Sequence, residues 1–404
     1  MPETSIDEFI ERARAVTVSA AAVLCGYAVS AREWTGPCPR CGGVDRFSIN
    51  ARKGAFNCRA CGGGRDGIGL MAHVRDFDLQ SRAGFIEACA AALGEPVPDG
   101  AERLTGAQRE ASAARLARLH ADNARKSEED ARRQEDFRRR EIKRARAIYC
   151  DAAEAGDCVV EYLRLRTGFA MPDAIFEHLR YAPAHPLWHG SDARGDPLVV
   201  YRGPAMIAAF VAPDGAITGC HETWIALGMP PRFRPAIVDG AGKLIPSKKM
   251  RGTKAGALIP VLGQPSATCW AIGEGIENTA AFAGAQGFPA DVFYAAAGDL
   301  GNMAGPADPA SNFPHPELIT ESGRPKRIPG PIPRADGVAM QVPDHVTQLY
   351  LLADGDSDLV FTASAMERAR ARHARRGLHV TVCWPPAQQD FASTLAVLWQ
   401  EIDE

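Results

Sequence analysis

The chain has 404 residues, 46% of them hydrophobic and 24% charged, with a formal net charge of -3. That much apolar material suits two or three globular domains and excludes fibrous and globally disordered classes. A total so close to neutral excludes a uniformly basic nucleic-acid coat, so any electrostatic partner must be met by local charge. The start, Met1-Pro2-Glu3-Thr4-Ser5-Ile6-Asp7, lacks the cationic stretch and apolar core of a secretion signal, and no apolar run approaches the ~20 residues of a membrane span. A cytoplasmic chain with no membrane partner is expected, in which the 11 cysteines stay reduced unless a metal holds them.

Four of the cysteines form two pairs, Cys38-Pro39-Arg40-Cys41 and Cys58-Arg59-Ala60-Cys61. The interval between them matches structural zinc sites, where each pair turns two thiolates toward one tetrahedral ion. A closed four-sulfur shell leaves no position for substrate, so Zn²⁺ is expected to stabilise a small fold with little core of its own. Residues 46–50 and 54–57 predict a short hairpin between the pairs, and 68–73 with 85–93 predict two helices beside it. Trp34, Phe47 and Phe56 could stack on bases or pack that small core. The zinc-binding domain is predicted to span 1–96. Cys25, Cys89, Cys150, Cys158, Cys220, Cys269 and Cys383 stand singly, mostly in apolar company, and read as small buried hydrophobes.

Residues 97–150 read as a charged helical linker, because from Thr105 to Tyr149 the sequence is rich in Ala, Arg and Glu with few large apolar residues. Its end carries Arg138, Arg139, Arg140, Lys143, Arg144 and Arg146 against one acid, Glu141. A nucleic-acid backbone would suit such a run, as would water alone.

From 151 to 265 the pattern predicts a mixed α/β subdomain, with strands over 197–201 and 205–211, a turn at Pro213-Asp214-Gly215 and a partner strand over 217–225. Lys248-Lys249-Met250-Arg251-Gly252-Thr253-Lys254 reads as a Gly-bearing basic loop suited to triphosphates or a nucleic-acid backbone, or to solvent.

The stretch 268–273 is a buried-strand pattern ending at Glu274, with a helix over 278–286 and a second strand over 291–296. A third strand, 348–353, ends in Asp354-Gly355-Asp356; a helix over 361–376, a strand over 378–384 and a last helix from Phe391 complete a β/α alternation. Parallel strands present their C-terminal ends along one sheet edge, so Glu274, Asp354 and Asp356 should meet there, with Asp390 in reach from the loop after the fourth strand. Clustered carboxylates suit Mg²⁺ or Mn²⁺ and point to phosphoryl-transfer chemistry. The Pro-rich stretch 304–345 has no periodicity and is expected to be an inserted lid, arm or mobile loop. The fold class is thus α/β multidomain: a small Cys₄ zinc-ribbon-like domain, a helical linker, a mixed α/β subdomain and a Rossmann-like parallel sheet over 266–404.

These residues, in this order, resemble bacterial-type DNA primases of the phage and mobile-element kind, over about 34–93 and from about 159 to the end. The resemblance implies a zinc-binding domain joined to a Toprim catalytic domain. Its Glu-Gly and Asp-x-Asp signatures correspond to Glu274-Gly275 and Asp354-Gly355-Asp356, which implies a metal-binding, catalytic role for Glu274, Asp354 and Asp356. A late Asp-Phe-Asn-Asp-like element matches Asp390-Phe391 and then departs at Ala392-Ser393. A Gly-x-His-Arg-Thr-like strand matches Gly219-Cys220-His221-Glu222-Thr223 except that Glu222 replaces Arg, and a Lys-Lys-Met-x-Gly-like run matches Lys248 to Gly252.

The resemblance further implies nucleotide or nucleic-acid contacts from His221, Lys248, Lys249, Arg251 and Lys254, beside Arg139 and Arg140 on the linker. Zinc modules of cellular primases often include a His ligand, whereas the four-Cys version here is similar to that of phage primase-helicases. No Walker A sequence is present, so a separate replicative helicase would be the partner, beside single-stranded DNA and nucleoside triphosphates. The alternatives are a Toprim nuclease using the same metals, and a zinc-finger nucleic-acid-binding regulator with an inactive Toprim fold.

Overall fold

The computed structural model describes residues 6–395 apart from 29–32, 41, 59–61, 99–105, 193, 195, 241, 320–322, 324, 356 and 387–388. No helix among the described residues is long and apolar enough to cross a membrane. Contacts divide the chain into two compact units, one of Met1–Gln134 with Phe313–Ile328, the other of Glu135–Asn312 with Pro329–Glu404.

The first unit opens with α1 (Ile6–Arg14) and α2 (Val18–Leu24), which the sequence pattern alone did not announce. Both are short, and α2 depends on a cap: the Thr17 hydroxyl accepts from Ala20 N. Four antiparallel strands follow in sequence order, β1 (Glu33–Cys38), β2 (Gly42–Asn50), β3 (Ala55–Cys58) and β4 (Gly62–Gly64). The expected hairpin is the β2–β3 pair, with Phe47 opposite Cys58 and Ile49 opposite Phe56. Two further helices, α3 (Gly67–Arg75) and α4 (Arg82–Leu93), start at capping side chains Asp66 and Ser81, and α4 ends at Gly94 with φ +68°. Phe47, Ile49, Phe56, Leu70 and Met71 fill the core between ribbon and helices. Phe47 and Phe56 are buried, so they pack this core and do not offer base-stacking faces.

The linker is one 46-residue helix, α5 (Gly106–Asp151), as its unbroken polar pattern predicts. The second unit continues with β5 (Ala153–Glu154), α6 (Asp157–Thr167), β6 (Leu179–Ser191), β7 (Pro197–Val211), β8 (Ile217–Trp224), the short pair β9 (Ile237–Val238) and β10 (Leu244–Ile245), and β11 (Lys248–Gly252). β11-β8-β7-β6-β5 form one antiparallel sheet. The runs 197–201 and 205–211, expected as two strands, join in the single strand β7. The basic stretch expected as a loop is an edge strand over most of its length: β11 pairs residue for residue with β8, from Lys248 opposite Thr223 to Gly252 opposite Gly219. Its glycine fits that role, because a Cβ on Gly252 would lie 2.4 Å from the Thr218 carbonyl oxygen.

The second sheet is built from β12 (Ile259–Leu262), β13 (Cys269–Gly273), β14 (Val292–Ala296), and later β17 and β18. The helices α7 (Ile276–Ala285) and α8 (Leu300–Ala304) and the hairpin β15 (Phe313–Ile319) with β16 (Pro325–Ile328) come before β17 (Gln348–Leu352), α9 (Leu359–His373) and β18 (His379–Cys383). In the order β12-β14-β13-β17-β18 the last four are parallel and β12 runs antiparallel at the edge. One core passes through both sheets, with Tyr162 and Phe210 packed among the same residues as Ile276 and Tyr294.

The Pro-rich insertion is not a loose lid. Arg368 and Arg372 of α9 donate to the carbonyls of Ala304, Gly305, Pro306, Gly330, Arg334 and Gly337, and Arg375 donates to those of Val342, Pro343 and Val346. Guanidinium forks thus supply the hydrogen bonds that an irregular backbone lacks. The hairpin β15–β16 belongs by its contacts to the first unit.

Candidate functional site

Two groups of side chains are candidates, one in each unit. In the first, Cys38 at the end of β1, Cys58 at the end of β3 and His73 on α3 bring one ligand atom each within 4.8 Å of one another. All three are buried, and Cys38 Sγ lies 3.2 Å from His73 Nε2. Phe47 stacks on the imidazole at 5.0 Å between centroids and 3° between planes, which fixes the ring. Two thiolates and an imidazole fit tetrahedral zinc. Cys41 and Cys61, the other two expected ligands, lie outside the described residues. His73 adds an imidazole to the candidate set beside the two described thiolates. Its distance in sequence from either pair hid it, and its site on an Asp66-capped helix brings it back over the ribbon.

In the second unit, β13 and β17 are adjacent and parallel, with Ile272 opposite Leu351. Glu274 and Asp354, just past these strand ends, therefore leave the sheet at one edge. Gly298 N donates to the Glu274 carbonyl at 2.9 Å, tying the neighbouring strand end to the same place. Asp299 follows there and accepts from Asn302 N at 2.7 Å as the cap of α8. Gly355 has no room for a side chain: a Cβ would lie 2.3 Å from the Gln389 carbonyl oxygen. That close approach sets the Asp354 loop against the loop carrying Asp390. Asp356 lies outside the described residues.

Asp390 accepts from Ser393 N at 2.6 Å in the manner of a helix cap, and its other oxygen is 3.9 Å from Arg166 Nη2. Ala392 is fully buried, and its N donates to Asn278 of α7. The Ala392-Ser393 departure is thus accounted for locally: a small buried residue and a capping partner start the last helix.

Strand alternation sorts the remaining residues onto two faces of the antiparallel sheet. On the front, Lys248 Nζ lies 2.7 Å from Glu277 Oε1, and the Tyr162 hydroxyl donates to the same oxygen at 2.7 Å. Burial alone would raise the Glu277 carboxyl, but Lys248, Arg166 and the Tyr162 hydroxyl override it and hold the group well below the usual carboxylate range. His221 shares this face. Burial first, then the positive charges of Lys248, Lys254 and Arg234, push its imidazole down to about 4, so it is neutral at physiological pH. Lys254 pairs with Asp299. Glu277, Tyr162, Arg166, Arg234 and Asp299 are the residues that sequence reading missed.

On the back, Glu222 is fully buried and lies between His185 Nε2 at 2.8 Å and the Arg251 guanidinium, whose Nε is at 3.0 Å. Lys249 points its ammonium to the Trp188 carbonyl. Lys249 and Arg251 therefore do not join Lys248 and His221, as a single basic loop would have required. Glu222 faces away from the carboxylate edge. On α5, Arg139 pairs with Glu135 at 3.1 Å and Arg140 is exposed.

Residues 139–260 match the model of a family described as a domain of unknown function, DUF7146. No curated protein matches the chain in sequence. Among solved structures, the chain is similar to the Aquifex aeolicus primase (zinc-binding and RNA polymerase domains), with 14% identity and a TM-score of 0.34 over 99% of this chain and 84% of that one. It is also similar to a DNA primase domain from Pseudomonas aeruginosa, with 10% identity and a TM-score of 0.33 over 63% of this chain and 74% of that one.

Proposed function

We propose that the chain is a DNA primase, a nucleotidyltransferase that joins nucleotides into short primers on a single-stranded DNA template. The observation that carries the reading is the shared edge of β13 and β17, where Glu274 and Asp354 emerge beside Asp299 and opposite the front-face cations. In this reading the chain comprises a zinc-binding domain (1–96), a helical linker (97–150), a primase subdomain (151–265) and a Toprim domain (266–404) with its insertion.

Glu274, Asp354 and Asp356 would hold Mg²⁺ or Mn²⁺ through carboxylate oxygens, the donor type such ions prefer. When bound, the metal would neutralise charge developing on the transferred phosphoryl group. The rest is the work of the chain's own side chains. Arg166, Arg234 and Lys254 supply positive charge around the edge, and Lys248 is held in place by Glu277 rather than left to reach freely for phosphates. Neutral His221 offers a hydrogen bond without adding repulsion to that cationic face. Cys38, Cys58 and His73 would hold Zn²⁺ as a structural ion that joins α3 to the ribbon.

The test is template-dependent synthesis: the full chain with single-stranded DNA, labelled ribonucleotides or deoxyribonucleotides and Mg²⁺ should yield short oligomers. Shortening of the template without new oligomers would replace this reading with the nuclease. Binding without either reaction would favour the regulator.

A further inference from the structure

The back of the antiparallel sheet presents a second charged surface. There Ala145, Ile148 and Tyr149 of α5 pack with Leu187, Ile207 and Trp224. Between Phe137 and Cys150 every exposed charged side chain is a cation: Arg138, Arg139, Arg140, Lys143, Arg144 and Arg146. The one acid of that run, Glu141, is partly buried and paired. Arg144 holds it at 2.9 Å, and Arg251 reaches its other oxygen at 3.8 Å. Arg251 is itself held by buried Glu222 at 3.0 Å. Arg138, Arg140, Lys143 and Arg146 have no ion pair among the described residues.

Lys143 and Arg146 follow Arg139 at the four- and seven-residue spacing that puts side chains on one helix face, and Arg140 with Arg144 lies beside them. Like charges at this spacing destabilise an isolated helix. A helix that keeps them needs something to hold it and something to neutralise it. The apolar contact and the Glu222–Arg251–Glu141 clamp meet the first need. A linear polyanion would meet the second, since the stripe from Arg139 to Arg146 extends roughly 10 Å along the axis.

We propose that the outward face of α5 between Arg138 and Arg146 binds a nucleic-acid backbone, and that Glu222, through Arg251 and Glu141, clamps this helix to the back of the sheet. The partner is a phosphodiester chain contacted by charge alone. Glu222, an anion where the related strand carries Arg, gains a role that its burial away from the carboxylate edge would otherwise leave without purpose. The proposal rests on the reading of the chain as acting on nucleic acid, but its test reads binding and not synthesis.

The experiment measures binding of a fluorescent single-stranded oligothymidylate to the full chain from about 50 to about 200 mM salt. Arg140→Ala/Lys143→Ala/Arg146→Ala should weaken binding tenfold or more and flatten the plot of log affinity against log salt by about 2, near 0.7 for each phosphate no longer neutralised. Arg140→Lys/Arg146→Lys keeps the charges and should keep the slope. Glu222→Gln should weaken binding and speed amide exchange over residues 138–149. An unchanged slope in the triple Ala variant overturns the proposal, as does a chain that captures polyglutamate but not the oligonucleotide. If the triple variant loses binding as expected while wild type joins no nucleotides, the surface stands and the primase reading falls. Normal primer synthesis with an unchanged slope leaves the primase reading standing and removes the surface.

Discussion

Lys248 and Glu277 meet at 2.7 Å across the junction of the two sheets, with the Tyr162 hydroxyl on the same carboxylate oxygen. One residue belongs to an edge strand of the antiparallel sheet and the other to the helix that follows Glu274, so the pair couples the basic and acidic halves of the site. Removing one partner leaves the other charged and partly desolvated. Glu277→Gln should cost about 1–3 kcal/mol in urea unfolding, the range for an unsatisfied buried group when its partner keeps some solvent. Because the folded carboxyl is held below its ordinary value, the pair's stability is present above the carboxylate range and is lost as pH falls through it. The variant should therefore show a flatter acid limb than wild type.

His221 gives a second pH signature, of the same sign but in a higher window. Its folded imidazole is pushed down to about 4, whereas an unfolded histidine titrates near ~6.5. Above ~6.5 neither state holds the proton. As pH falls toward about 4 the unfolded chain takes up a proton that the folded chain refuses, so stability declines. His373, also pushed down to about 4 chiefly by burial, acts in the same direction. His221→Asn should reduce the fall in urea midpoint between about pH 7 and pH 5, and His221→Asn/His373→Asn should reduce it further. Proton NMR of the imidazoles checks the assignment directly.

At the sulfur-nitrogen centre the full chain should carry one zinc, measured by elemental analysis. Chelation should melt the first unit before the second, since the ion would stand in for a larger core. His73→Ala should lower zinc affinity by a factor of ten or more and loosen α3, seen as faster amide exchange over residues 67–75. Retention of zinc at wild-type affinity would limit His73 to packing beneath Phe47.

Arg372 donates to the carbonyls of Ala304, Pro306, Arg334 and Gly337. Arg372→Ala strips these at once, and each carbonyl that water does not then reach costs on the order of 1 kcal/mol. The expected outcome is new proteolytic cleavage within 304–345, with the parallel sheet intact by circular dichroism. Arg372→Lys should protect only partly, because one ammonium cannot span four acceptors.

Much of this was legible in the sequence because period and punctuation agree with tertiary structure. The β/α alternation from Cys269 to Cys383 reads directly, since buried parallel strands are short apolar runs that end in polar residues. The linker helix reads equally well. The basic run around Lys248 did not, because charge density suggests a loop, whereas pairing with β8 makes it a strand and sends neighbouring cations to opposite faces. Glu222 was legible only as a departure: which face it takes depends on register, and register is a tertiary property. His73 and the arginine staples depend on contacts distant in sequence, which no local pattern encodes.

The most direct test of the central claim compares wild type with Asp354→Asn in template-directed synthesis. The substitution keeps the shape of the side chain at the end of β17 and removes one oxygen ligand and its charge. Wild type should make short oligomers only with template, nucleotides and Mg²⁺, and Asp354→Asn should lose at least a hundredfold in rate while binding single-stranded DNA as before. Equal rates in the two proteins, or no oligomers from wild type under conditions where it binds template and metal, would contradict the account.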